Sequence, residues 1–204
     1  MESREAIGLL HTAWPRIVAE SRAVPGGELH YQAIVYHCLK LVGVPARQLG
    51  MNVKQMFLDP VTEDFRRRAD RRHPDFAGAV EPIPDVVLFS PAINGDWRRR
   101  RSEETARHML LAIEVKASER ANARLRLGEI AGDILKLAAH REELAHRGYA
   151  MTPVMMVIDV APESRERMTD EALAESRLVA ASNAVGWIYC SPVETVAELP
   201  IVAP

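Results

Sequence analysis

Apolar residues recur along the chain at two spacings, and the switch between them marks out the elements. Over 5–24 the apolar positions Ile7, Leu10, Trp14, Ile17 and Val18 fall three and four apart, the spacing of one helical face, with Pro15 placed to kink or restart the helix. Gly26 and Gly27 break the chain. A second helix is predicted over 28–42, with Tyr31, Ile34, Val35, Cys38, Leu39 and Val42 on one face and Gly43 and Pro45 ending it. The segment 53–58 reads as a short strand closed by Asp59 and Pro60. The Arg-rich stretch from there to Val80 follows neither period and is expected to be mostly loop.

The strongest strand patterns are 83–89 and 108–117, the second holding the apolar run 109–113 of a strand buried on both faces. A polar connection tipped with arginines joins them. A helix is predicted over 125–147, with Leu127, Ile130, Ala131, Ile134 and Leu137 inward and Gly148 at its end. A buried strand over 153–160, a helix over 163–184 and a strand over 185–190 complete the chain. After the first helix the order is helix, three strands, helix, strand, helix, strand, which makes this an α/β chain. There is no internal repeat or low-complexity tract.

With 204 residues, 48% of them hydrophobic and 26% charged, the composition is that of a globular chain and excludes a disordered, collagenous or disulfide-built one. The length suits one domain over 1–204: an accessory helix at 1–25, a core at 26–160, and a helix and strand at 161–204. No apolar run approaches the roughly 20 residues needed to cross a bilayer, and the start Met1-Glu2-Ser3-Arg4-Glu5 lacks a signal-peptide pattern, so no membrane partner and a cytoplasmic location are expected. Cys38 and Cys190 stand alone in apolar segments and read as buried thiols, in keeping with a reducing compartment.

The net charge of −2 makes no general case for a polyanionic partner, but the cations are unevenly spread. Lys40, Lys54, Lys116 and Lys136 are the only lysines among 26 basic residues. Nine arginines, Arg66, Arg67, Arg68, Arg71, Arg72, Arg98, Arg99, Arg100 and Arg101, crowd into 66–101.

Candidate chemistry lies at the ends of the two strongest strands. In Ile113-Glu114-Val115-Lys116 the side chains alternate, so Glu114 and Lys116 share a face that turns from apolar to charged as the strand ends. Asp85, after Pro84, opens the preceding strand. An antiparallel pairing with Phe89 opposite Leu110 sets Asp85 opposite Glu114 on the same face. Opposed side chains have Cβ atoms about 5 Å apart, where two carboxylates repel unless a positive charge lies between them. A divalent cation satisfies that need, and Mg²⁺ prefers carboxylate and water oxygens while keeping positions open for phosphate.

These residues resemble the PD-(D/E)XK nuclease superfamily. Pro84-Asp85 matches the first half of its motif and Glu114-Val115-Lys116 the second, 29 positions after the Asp. The resemblance covers about two thirds of the chain and implies a restriction-endonuclease-like fold, a central mixed β-sheet flanked by helices. Its core order is αβββαβ, here with an extra N-terminal helix and a C-terminal αβ unit. It implies Asp85 and Glu114 as metal ligands, the backbone carbonyl of Val115 as a further ligand, and Lys116 as the residue that orients or helps deprotonate the attacking water. Glu28 matches an acid carried on the first core helix, and a favourable interaction with the helix N-terminus also accounts for it.

On the helix after the motif, Glu129, Asp133, Lys136 and His140 form a polar stripe, read as a solvated face held by an i to i+3 ion pair, with Asp133 and Lys136 as candidates to support the site or contact phosphate. Arg98, Arg99, Arg100 and Arg101, between the motif strands, are candidates for phosphate contact. Trp97 beside them is placed to stack on a base or anchor the loop. Pro74-Asp75 repeats the motif's first half but precedes a poor strand and is a decoy. No zinc-ligand spacing, dinucleotide fingerprint or Walker A sequence is present. The expectation is a DNA endonuclease, a hydrolase using Mg²⁺ or Mn²⁺ through Asp85, Glu114 and Lys116. A silent nucleic-acid-binding or protein-interaction module of the same fold and an RNA-directed nuclease are the alternatives. A homodimer is compatible with cutting both strands of a duplex.

Overall fold

The apolar run at 109–113 forms the middle of a nine-residue strand, β5 (Met109–Ala117), around which the fold is organised. The computed structural model describes residues 1–70, 79–96 and 102–200. Before β5 come α1 (Ser3–Ala23), α2 (Glu28–Leu41), β1 (Leu49–Met51), β2 (Phe57–Leu58), α3 (Glu63–Asp70), β3 (Ala79–Val80), β4 (Val86–Phe89) and α4 (Ser102–His108). After it come α5 (Leu127–His146), β6 (Thr152–Ile158), α6 (Asp170–Ser182), β7 (Gly186–Cys190) and β8 (Thr195–Glu198).

Six strands make one mixed sheet in the order β1-β4-β5-β6-β7-β8, and β2 and β3 pair separately. β1, β4 and β5 run antiparallel in turn, β5, β6 and β7 are parallel, and β8 returns antiparallel to β7. Alternation along β5 divides the core in two. Leu111, Ile113, Val115 and Ala117 join a cluster with Leu10 and Ile17 of α1 and Val35 and Leu39 of α2. Ala112 faces the other way, with Ile130 and Ile134 of α5 and Ala180 of α6. The sheet is thus covered by helices on both faces, the arrangement that continuously apolar strands require.

Several elements differ from the sequence expectation. The edge strand of the main sheet is Leu49–Met51, not 53–58, of which only Phe57 and Leu58 are extended, in the smaller sheet. β1 contains Gly50 and is too short to show a period; a side chain at Gly50 would meet Val53 Cγ2 at 2.5 Å and Val87 Cγ2 at 3.0 Å. The stretch expected as loop holds α3. Its N-terminus is capped from another element, Glu143 Oε2 accepting the backbone N–H groups of Val61 (2.9 Å) and Thr62 (3.2 Å). Arg67 pairs with Glu63 on its exposed side, and Arg68 with Asp64 where both are half-buried. The connection before β5 carries α4, and the helix expected over 163–184 begins only at Asp170, where Thr169 accepts the Ala172 N–H. β8 was not expected. α1 runs through Pro15 without ending, and Cys38 and Cys190 are free and buried. Among the described residues no helix is long and apolar enough to cross a membrane.

Candidate active site

Asp85 is set by three elements at once. Its carbonyl accepts the N–H of Asn52 at 3.0 Å, and Oδ2 of its side chain accepts the N–H of Val115 at 2.7 Å. Asn52, just past β1, has φ 50°, a left-handed conformation that asparagine tolerates better than most residues. Its side-chain amide reaches Gln32 Oε1 on α2. β4 pairs with β5 through Val86 opposite Ile113 and Val87 opposite Ala112. One further step in that register sets Asp85 opposite Glu114. The expected opposition of Phe89 and Leu110 is not made, because a bulge after Leu88 moves Phe89 opposite Met109; the irregularity lies at the far end of the pair and leaves the Asp85 end in step.

Lys116, two residues after Glu114 and on the same face, reaches two helices. Its Nζ lies 3.1 Å from both carboxylate oxygens of Glu28 at the start of α2. It lies 3.3 Å from Oδ2 of Asp133 on α5, and Asp133 also pairs with Lys136 one turn on. The structure therefore brings Asp85, Glu114, Lys116, Glu28 and Lys136 into one constellation and adds Asp133 as its hub. The stripe read as solvated is a correction: Asp133 and His140 are buried, at 4% and 2% exposure. Sequence spacing carried this signal. Asp133, Leu137, His140 and Leu144 follow one another at four, three and four residues, a helical core stripe with two polar members. Asn52 had no comparable signature, since its role depends on a β1 that the sequence does not reveal. The structure gives Val115 a definite task through its amide, which holds Asp85. Arg98, Arg99, Arg100, Arg101 and Trp97 lie outside the described residues, as do Arg71, Arg72 and Pro74-Asp75.

Burial and like charge dominate the electrostatics. Burial pushes Asp85 up to about 6, against the pull of the Val115 N–H and Lys116. Glu114 rises further, to about 8, through burial first and then the charges of Asp85 and Asp133. Burial works against the charged form of Lys116, but Asp133 and Glu28 outweigh it and hold the amine charged well above neutral pH. Four carboxyl groups, Glu28, Asp85, Glu114 and Asp133, thus face two ammonium groups, Lys116 and Lys136.

Among the described residues no three His, Cys, Asp or Glu side chains are gathered as a metal cage. The donor chemistry nevertheless suits a hard divalent ion. Mg²⁺ commonly takes one or two carboxylates and fills its remaining positions with water and phosphate oxygens. Asp85 and Glu114 offer such a pair, in surroundings that carry two negative charges in excess when all four acids ionise. No protein-family model, curated protein or solved structure matches the chain.

Proposed function

We propose that the chain is a metal-dependent nuclease of PD-(D/E)XK type with a restriction-endonuclease-like fold, hydrolysing phosphodiester bonds in DNA. The observation that carries this reading is the convergence of Asp85 and Glu114 from adjacent antiparallel strands, with Lys116 two residues along the same face. The succession α2, β1, β4, β5, α5, β6, with its antiparallel triplet followed by a parallel strand, agrees with the family's core order.

Asp85 and Glu114 are the residues to hold Mg²⁺ or Mn²⁺, which when bound lowers the pKa of a coordinated water and offsets charge on the phosphate. Asp85 is pre-positioned for this by the Val115 amide, so one of its oxygens is already oriented. Lys116 acts as a cation. Held charged by Glu28 and Asp133, it donates hydrogen bonds to the attacking water or to phosphate oxygens and stabilises the negative charge that grows there. Glu28 and Asp133 are positioning residues, fixing the ammonium from two sides and limiting its rotamers. The second lysine, Lys136, extends positive charge along α5 towards the flanking phosphate.

The test is a nicking and linearisation assay on supercoiled plasmid, with single-stranded DNA and RNA in parallel, in EDTA, Mg²⁺ or Mn²⁺. Cutting that needs the metal and is lost in Lys116→Ala is the expected result. Folded Glu114→Ala and Lys116→Ala proteins that cut as well as the parent would end the proposal. Cutting confined to RNA would reassign the substrate.

A further inference from the structure

Beside the carboxylates the protein carries a cavity of about 420 Å³. It shares Glu114 and Lys136 with the candidate site and is walled mainly by apolar side chains, among them Val80, Ile83, Leu137 and the ring of Phe65. That volume lies at the small end of the roughly 300–1,000 Å³ range of pockets for single organic ligands. The wall is rigid. Phe65 stacks on Phe57 at 6.3 Å between ring centroids, His140 lies at 6.3 Å from Phe65, and His140 Nε2 is fixed at 2.6 Å from Gln55 Oε1. Its charged lining among the described residues is Arg68 and Lys136, paired with Asp64 and Asp133, together with Glu81 and Glu114.

We infer that this cavity receives the base of one unpaired nucleotide next to the scissile phosphate, which makes the substrate single-stranded nucleic acid or a frayed strand end. The inference rests on the nuclease reading and narrows it to a substrate class. An apolar pocket that opens beside the candidate carboxylates, with Arg68 and Lys136 at its lining, matches the three parts of a nucleotide. The base is the flat, largely apolar part, and the phosphate falls between the cations and the carboxylates. A base held in a duplex is stacked and paired, and enters such a pocket only after leaving the helix. Nothing in the constellation of Asp85, Glu114 and Lys116 alone distinguishes paired from unpaired substrate; the cavity does.

Two measurements test it on the full chain. In the first, deoxyadenosine 5′-monophosphate and 2-deoxyribose 5-phosphate are titrated in Mg²⁺ while the methyl signals of Val80, Ile83 and Leu137 are followed by NMR. Both are phosphomonoesters and are not cut. The nucleotide is expected to bind at least about tenfold more tightly than the base-free sugar, the scale of burying about 60 Å² of apolar surface, and to shift those methyls. Ile83→Glu, on a wall position that is 38% exposed and so tolerant of change, is expected to lose this preference, whereas the distant exposed substitution Leu178→Glu keeps it. Equal affinity for the two phosphates, or shifts elsewhere only, overturns the pocket. In the second, a single-stranded oligonucleotide and its duplex are compared for cleavage, and equal rates also overturn it. The two readings fail separately. Cutting without a base preference removes the pocket and leaves the nuclease, while base-dependent binding without cutting of any nucleic acid removes the nuclease and leaves a nucleotide site.

Discussion

Lys116 and Asp133 meet at 3.3 Å although they belong to different layers, one at the end of the central strand and the other on the helix that covers it. Asp133 is 4% exposed, so the pair is shielded from the solvent screening that makes surface ion pairs weak. If Asp133 positions the ammonium, Asp133→Asn should lower kcat about tenfold with little change in KM, and the Lys116 Nζ titration followed by NMR should move to lower pH. A purely structural Asp133 would change stability and leave that titration in place.

Glu114 gives a second prediction, with a sign fixed by its environment. Its folded-state pKa lies near 8, above the unfolded value of 4.5, so the folded protein binds more protons between those limits and loses stability as pH rises through them. In EDTA this group should therefore make the parent less stable from about pH 6.5, where His140 no longer offsets it, to pH 8. Glu114→Gln should flatten this slope and be more stable near neutrality, by about 1–2 kcal/mol. Denaturant melts of both proteins at three pH values decide it.

In the proposed metal site the same protons would compete with the cation. Because Asp85 and Glu114 hold theirs to about 6 and about 8 without metal, Mg²⁺ or Mn²⁺ affinity should rise as pH goes from 6 to 8, with proton release on binding. Calorimetry in buffers of different ionisation enthalpy counts those protons. A pH-independent affinity would place the metal elsewhere.

His140 titrates in the opposite sense. Burial pulls it down to about 3 from an ordinary 6.5, so the ring stays neutral in the fold while the unfolded chain takes up a proton. Below about pH 6.5 the parent should lose roughly 1.4 kcal/mol per pH unit through this group. His140→Gln lacks the term, so its stability relative to the parent should improve steadily from pH 6.5 to pH 4.5.

Glu143 is fully buried and accepts two backbone N–H groups ahead of α3 while pairing with Arg147. Glu143→Ala leaves those donors without their acceptor and should cost about 2–3 kcal/mol. Hydrogen exchange should report the loss first in α3.

The features legible in the sequence were those with a period or a fixed register. β5 and β6 were evident as apolar runs, α5 as a helical stripe, and the Asp85 to Glu114 alignment followed from alternation once the two strands were paired. What escaped depended on contacts distant in the chain. α3 has only Phe65 and Ala69 as an apolar pair and relies on a cap from Glu143, 80 residues away from Glu63. β1 is three residues long and held by β4. Asp133 was read in a solvated stripe although its spacing with Leu137, His140 and Leu144 is that of a core face, and its contact with Lys116 exists only once helix and sheet pack.

The outermost strands have a consequence for self-association. One margin of the sheet is β1, three residues including a glycine, and the other is β8, whose Thr195 and Glu198 are exposed and whose neighbours include Pro192 and Pro200. A three-residue margin and a charged, proline-flanked one are both poor templates for adding another chain's strand. Arg22 at the end of α1 further ties down the turn before β8 through the carbonyls of Ser191 and Glu194. Neither margin therefore invites strand addition by a second copy of this chain, the contact that most often turns open sheets into aggregates.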